Sequence, residues 1–219
     1  TAKVMKTYIT RQFIGDIFIP RYVNYNSTNY SVIGICEGAF MFNQRIKSIQ
    51  FPQDSEIQFI GKEAFSNSSI KSITIPRKVK IIEEKTFENC LYLTNVEISE
   101  DSELYSIEKK AFSSTRIQYL FIPSKIERLD EKWCKNVFYL NDIKVSPNNK
   151  HFILYNDQLL LYKRDENQQN FDKIIFCLKK SIKVIIPSFI KTIGSYSCVN
   201  IYSIEFEKDS QLETIEEGA

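Results

Sequence analysis

The chain has 219 residues and a mass of 25.7 kDa, with 43% apolar and 26% charged residues, which suffices for a sizeable core in one large domain or two small ones. Its 29 Lys and Arg against 27 Asp and Glu leave a net charge of +2 with no basic block, which argues against nucleic acid as the main partner. No stretch approaches the roughly 18 apolar residues of a membrane span, and none resembles a secretory signal. The single histidine, His151, has no near-sequence partner for acid–base or metal chemistry.

In chain order, Ile17-Phe-Ile19-Pro20 reads as a first strand, followed by an Asn-, Ser- and Tyr-rich coil through Tyr30. Residues 1–31 are therefore expected to be an irregular N-terminal coil. From residue 32 to 147 one pattern recurs: apolar, two others, apolar, one other, apolar, then often Pro or Ser. It reads Ile46-Lys-Ser-Ile49-Gln-Phe51-Pro52, Ile70-Lys-Ser-Ile73-Thr-Ile75-Pro76, Leu93-Thr-Asn-Val96-Glu-Ile98-Ser99, Ile117-Gln-Tyr-Leu120-Phe-Ile122-Pro123 and Leu140-Asn-Asp-Ile143-Lys-Val145-Ser146. About six or seven such matches arise by chance in a chain this rich in Ile, Leu, Val and Phe. The pattern becomes specific through a second motif before each strand, a small residue followed by Phe: Ala39-Phe40, Ala64-Phe65, Thr86-Phe87 and Ala111-Phe112, then the degenerate Trp133-Cys134. These aromatic positions lie 25, 22, 25 and 22 residues apart, the longer turns carrying an Asp-Ser insert such as Asp54-Ser55 or Asp101-Ser102.

A period of 22 to 25 with an alternating apolar triplet is the leucine-rich-repeat range. The triplet is a short strand, and no single coil can close a core, so neighbours must stack about 4.8 Å apart. The sequence thus predicts a mostly β member of the α/β-type repeats, a right-handed leucine-rich-repeat solenoid with one short parallel strand per coil. Phe40, Phe65, Phe87 and Phe112 are expected to form an internal column, and a Pro after a strand ends the ladder by removing a donor. The excess residues 148–180 read as a hairpin insert over Phe152–Tyr162 turning near Asn156-Asp157. A charged loop, Lys163-Arg164-Asp165-Glu166-Asn167, then leads to a strand at Ile174–Cys177. The repeat resumes over 181–219 with Ile190-Lys-Thr-Ile193-Gly194, Tyr196-Ser197-Cys198 and Ile201-Tyr-Ser-Ile204-Glu-Phe206. The next aromatic would fall beyond Ala219, so the last coil is expected to be cut short in a single solenoid.

The five cysteines, Cys36, Cys90, Cys134, Cys177 and Cys198, are odd in number and widely spaced, and read as buried free thiols. The pairs Glu83-Glu84 and Glu216-Glu217 occupy equivalent turns, so the repeat explains them without a catalytic carboxylate pair. No phosphate-cradling Gly loop or nucleophile elbow occurs, and the sequence implies no enzyme, cofactor or metal.

The coupled motifs, above all Ile73-Thr-Ile75-Pro76 through Cys90 and Ile186-Pro187-Ser-Phe-Ile190-Lys-Thr-Ile193-Gly194, resemble the BspA-like leucine-rich repeats from about residue 30 onward. The hairpin after Ser146-Pro147-Asn148 is similar to an insert in that family, and the Asp-Ser variant is similar to versions expanded in mucosal protists such as trichomonads. The resemblance implies a cell-surface or secreted protein in adhesion, binding host matrix or epithelial surface proteins. It carries over no binding residue, because the family has no fixed binding motif. An intracellular protein scaffold and a structural stalk presenting a further domain are the competing functions.

Alternation places the middle strand residues on the outer, concave side of the ladder. The candidate protein-binding residues are therefore Gln50, Thr74, Glu97, Phe121, Lys144 and Ile185, with Tyr119 beside Phe121. Two aromatics on one strand can anchor an interface, or the insert can cover them as local core. The sequons at Asn26, Asn29 and Asn67 permit glycosylation if the chain is secreted.

Overall fold

The computed structural model describes residues 2–4, 14–130, 132–163, 170–178, 183–198 and 201–219. Arg164, Asp165, Glu166 and Asn167 of the expected charged loop lie outside them. Among the described residues there is no helix, and the chain winds as a β-solenoid of stacked coils with three sides.

The first side is built from the alternating triplets. Gly15–Phe18, Ile46–Gln50, Ser72–Thr74 and Asn95–Glu97 form one parallel sheet, and Tyr119–Ile122 pairs in parallel with Asp142–Val145. The register sets Ile49 beside Ile73 and Ile73 beside Val96, so equivalent apolar residues stack inward in a buried row. The second side uses the apolar-x-x-Ile segments. Ile35 of Thr28–Ile35 aligns with Ile60, then Ile82, Ile107 and Leu129, each in a two-residue strand and each buried. Such short strands suffice because each rung contributes one inward side chain and the next coil repeats it.

The third side is a chain of turns holding the aromatic column. Phe40, Phe65, Phe87 and Phe112 stack at 5.3 Å between successive ring centroids with planes 5° to 9° apart. Backbone bonds set that spacing: Phe40 N–H donates to Ala64 O at 2.7 Å, Phe65 to Thr86 O at 2.9 Å and Phe87 to Ala111 O at 2.8 Å. The corner before each small-Phe pair is left-handed, at Gly38, Glu63, Lys85, Lys110 and Lys132, with φ between 55° and 62°. Only one of these is glycine, so stacking overrides a local preference. Glycine is required instead at Gly61, where an added Cβ would lie 2.7 Å from the Glu37 backbone nitrogen in the preceding coil.

Residues 22–31, expected to be irregular, form an antiparallel hairpin of Tyr22–Tyr25 with Thr28–Ile35. Asn26 and Ser27, with φ of 48° and 61°, make its tight turn, and their tolerance of the left-handed region permits it.

The insert contributes three antiparallel strands, Phe152–Tyr155, Leu159–Tyr162 and Lys173–Cys177; the last pairs in parallel with Thr192–Ile193, which pairs with Thr214–Ile215, so all five form one mixed sheet. Asn156 and Asp157 form its first turn with φ of 49° and 54°, and Gln158 N–H donates to Tyr155 O at 3.1 Å. Leu159, Leu160 and Leu161 are all buried because the sheet separates two hydrophobic clusters. Leu160 and its partner Phe176 join the core of the first coils, while Leu159, Leu161, Ile174 and Cys177 join that of the later ones. The pairing skips Ile175 between Leu160–Phe176 and Leu161–Ile174. Phe176 also extends the aromatic column: Trp133 lies edge-on to Phe112 at 6.5 Å and 6.2 Å from Phe176. Asn149 fastens the entrance to the insert. Its Nδ2 donates to Pro123 O at 2.7 Å and Ile126 O at 2.9 Å, and its Oδ1 accepts from His151 N at 2.9 Å and Phe152 N at 2.8 Å.

The cysteine expectation needs correction. Cys177 and Cys198 form a disulfide with Cα atoms 5.1 Å apart, while Cys36, Cys90 and Cys134 are free. The two partners are 21 residues apart, one coil length, so stacking brings them face to face.

Candidate protein-binding face

The outer side of the first ladder presents one residue between two inward-facing ones on each strand. Gln50, Thr74, Glu97, Lys144 and Ile185 are exposed, Tyr119 is 40% exposed and Phe121 is half-buried. Glu97, Tyr119, Phe121 and Lys144 come together around one depression of about 470 Å³, with Asn95, Val96 and Ile98 completing its wall. It lies where the parallel ladder is interrupted, because Asn95–Glu97 and Tyr119–Ile122 belong to different sheets.

The polar groups of the depression are held by local bonds. Asn95 Nδ2 donates to Glu97 Oε1 at 3.0 Å, and Thr74 Oγ1 donates to Glu97 Oε2 at 2.9 Å. These two bonds, Asn95 first, hold the Glu97 carboxyl below its ordinary range, so it presents a fixed anion. Partial burial, with the Asp142 charge beside it, pushes the Tyr119 phenol up. It faces a partner as a neutral hydroxyl on an apolar ring.

Two further hollows flank this one. Gln50 and Thr74 line a groove of about 580 Å³ that runs to the Arg77–Asp101 ion pair. Lys144 lines a notch of about 410 Å³ whose far wall is Ile153, Leu154 and Asp157 of the insert. The insert thus borders the face beyond Lys144. Ile185 is separate: it sits on Lys183–Ile186, which pairs with Ser203–Phe206, and lines none of the three hollows.

Sequence reasoning passed over Leu91, Tyr92, Phe138 and Tyr139, which are exposed at the corner leading into the strands. Their signal was an apolar residue immediately before the first inward position, where Ser or a charge stands in other coils.

The sequon asparagines differ in setting. Asn26 is exposed at the hairpin tip, Asn29 is exposed and its Oδ1 accepts from Asn24, and Asn67 is half-buried between Ser66 and Asn89.

Groups with catalytic potential are engaged in the frame. Glu83 accepts from Lys62 N at 2.7 Å, Glu108 from Glu84 N at 3.0 Å and Glu216 from Ser195 N at 2.9 Å, each tying down the preceding coil. Burial pushes the Cys90 thiol up to about 12, and its sulfur donates to Phe65 O at 3.0 Å. Burial also raises Cys134, so neither thiol is a nucleophile at neutral pH. Among the described residues no group of His, Cys, Asp and Glu is arranged to hold a metal ion.

A three-sided solenoid with one alternating triplet per coil and a shallow outer ladder is the architecture of a leucine-rich-repeat protein. The chain belongs to the family of the BspA type leucine rich repeat region, six copies of which match residues 21–141. Among curated proteins none matches. Several solved structures share the fold. The pneumococcal vaccine antigen PcpA superposes over 94% of this chain and 57% of its own, with a TM-score of 0.81 and 19% identity. A leucine-rich repeat protein from Eubacterium ventriosum covers 87% of this chain and 49% of its own, with a TM-score of 0.66 and 19% identity. A leucine rich cell surface protein from Faecalibacterium prausnitzii covers 92% and 69%, with a TM-score of 0.56 and 18% identity. The chain therefore spans little more than half the length of PcpA.

Proposed function

We propose that this chain is a non-enzymatic protein-binding module of a cell-surface or secreted protein, serving adhesion or recognition of a host or matrix protein through the outer ladder and the insert. The observation that carries the reading is the depression in which Tyr119 and Phe121 stand between the fixed anion of Glu97 and the ammonium of Lys144. Aromatic residues in a hollow with charges at its edge are the composition of an interface anchor. The surface location is supported by the description of one structural neighbour as a cell surface protein and another as a vaccine antigen. The Cys177–Cys198 disulfide supports it independently, because such bonds persist in oxidising compartments.

An intracellular scaffold is the second reading, favoured by the three unpaired thiols. Labelling intact source cells with an antibody to this chain, before and after permeabilisation, separates the two. Signal on intact cells is expected; signal only after permeabilisation discards the surface reading. For the face itself, Tyr119→Ser with Phe121→Ser is expected to abolish capture of a host surface protein while the melting temperature stays near that of the unsubstituted chain. Unchanged capture would move the site elsewhere.

A further inference from the structure

The corner that leads into the ladder carries a row of exposed cations drawn from successive coils. On the other sides several cations meet carboxylates of the neighbouring coil: Lys62 with Glu84, Lys78 with Glu56, Lys85 with Glu63 and Lys110 with Glu88. At this corner Arg45 and Lys47 stand in one coil, Lys71 in the next, and Arg116 two coils further on. All four are exposed, and none forms an ion pair with a carboxylate among the described residues. The positions just before and just after the first inward residue hold no acid in any of the five coils from Arg45 to Asn141.

Two tyrosines are interleaved with these cations. Tyr92 occupies the coil between Lys71 and Arg116, and Tyr139 the coil after Arg116; both are about half exposed. The Arg116 guanidinium lies over the Tyr139 ring at 5.6 Å. At about 4.8 Å per coil, the row from Arg45 to Arg116 spans about 14 Å, and the two tyrosines are about 10 Å apart. In sequence these residues are scattered over nearly a hundred positions. Only the stacking gathers them.

We infer that this corner is a binding site for a linear sulfated polysaccharide laid across the coils. A row of unpaired cations fits a chain with anionic groups at regular intervals, with the Asp142 and Glu97 carboxylates set on the strands beyond it. The exposed tyrosine faces fit the apolar faces of sugar rings, and the neighbouring side chains of Gln118 and Asn141 supply hydrogen bonds to hydroxyls. An acidic peptide would use the cations but has no need of flat rings at two-coil spacing. The site lies beside the protein-binding depression and does not depend on it. Surface labelling tests where the protein resides, whereas direct titration tests this site, so either can fail without the other.

The experiment is titration of the purified chain with a fluorescent heparin oligosaccharide. De-sulfated heparin, poly-glutamate and a single-stranded oligonucleotide of similar length are run in parallel. Tightest binding to the sulfated oligosaccharide is expected, weakening at least about tenfold between 50 and 500 mM salt. Lys47→Gln, Lys71→Gln and Arg116→Gln together are expected to weaken binding at least about tenfold, Tyr92→Ala with Tyr139→Ala about threefold or more, and Lys71→Arg to leave it unchanged. All these side chains are exposed, so the variants should melt like the parent. No binding at 150 mM salt, equal binding of poly-glutamate or the oligonucleotide, or binding that survives the triple substitution would overturn the assignment.

Discussion

Trp133 and Phe176 stand 43 positions apart in the chain, yet their rings are 6.2 Å apart, the indole passing the aromatic column from the regular coils to the insert. Phe176 therefore fills a layer that no small-Phe motif marks. Phe176→Ala is expected to destabilise the protein by about 3–5 kcal/mol, as for other buried aromatics truncated to alanine. Phe176→Leu should cost clearly less. The midpoint of urea unfolding measures both, and a wild-type midpoint for Phe176→Ala would show that the column ends at Trp133.

Asn149 satisfies four backbone groups with one amide, two by donating and two by accepting. Asn149→Ala is expected to cost about 1–3 kcal/mol, because the Ile126 carbonyl loses the Asn149 donor and the Pro123 carbonyl keeps only the 3.3 Å bond from Ile126 N–H. Hydrogen exchange should show the loss first at His151 and Phe152, whose N–H groups bond to the Asn149 side chain. Uniform loss of protection through the chain instead would contradict a local clamp.

The disulfide predicts a labelling count. Alkylation of the unfolded, unreduced chain should modify Cys36, Cys90 and Cys134 and spare Cys177 and Cys198. Replacing both partners by serine is expected to remove about 2–4 kcal/mol. Five alkylated cysteines in protein purified without reductant would refute the bond.

Several carboxylates sit below their ordinary value of 4.5 for identifiable reasons. Lys78 bonds Glu56, Lys62 bonds Glu84, and Asn95 and Thr74 bond Glu97. Burial alone would raise Glu216, but Lys173 and Ser195 outweigh it. A carboxyl that is more acidic folded than unfolded takes up a proton on unfolding in the window between the two values. Its contribution is complete above the unfolded value and is lost as pH falls through the folded one. Stability should therefore be flat above about pH 5 and decline toward pH 3, the more weakly at high salt because the pairs are exposed. Thermal melts at pH 7, 4.5 and 3.5 measure it, and stability that rises on acidification would contradict these pairings.

Gly61→Ala places a methyl against the backbone of the coil before it and is expected to cost about 1–3 kcal/mol. Lys85→Gly, at a left-handed corner, should be neutral or stabilising, since the strain of a side chain there is relieved. Melting temperatures of the two variants moving in the same direction would contradict this account.

The regular coils were legible because two motifs recur in fixed phase: the Ile49, Ile73 and Val96 positions and the Phe40-to-Phe112 column follow from spacing alone. The hairpin turn was legible from Asn156-Asp157. The hairpin at Tyr22–Ile35 was not, because its first strand is exposed throughout and shows no buried face for an apolar-polar alternation to mark. The disulfide was hidden by counting along the chain; counted in coils, Cys177 and Cys198 are nearest neighbours. The depression combines Glu97, Phe121 and Lys144, which the alternation exposes, with a ladder interruption that no single strand encodes. The corner cations escaped notice for the same reason: each belongs to its own coil's turn, and charge density is a property of the stack.

The antiparallel strands Phe152–Tyr155, Leu159–Tyr162 and Lys173–Cys177 work as a bulkhead. In an uninterrupted solenoid each coil rests on its neighbour alone, so damage to one rung spreads by peeling. Here Leu160 and Phe176 seal one compartment while Leu159, Leu161 and Ile174 seal the other. Peeling that begins in the coils around Ile186 and Ile193 must strip the parallel pairing of Ile193 with Ile174, and then meets the antiparallel pairing within the insert, which runs against the winding direction. Such a divider lets a long, thin molecule lose part of its length under tension without surrendering the rest.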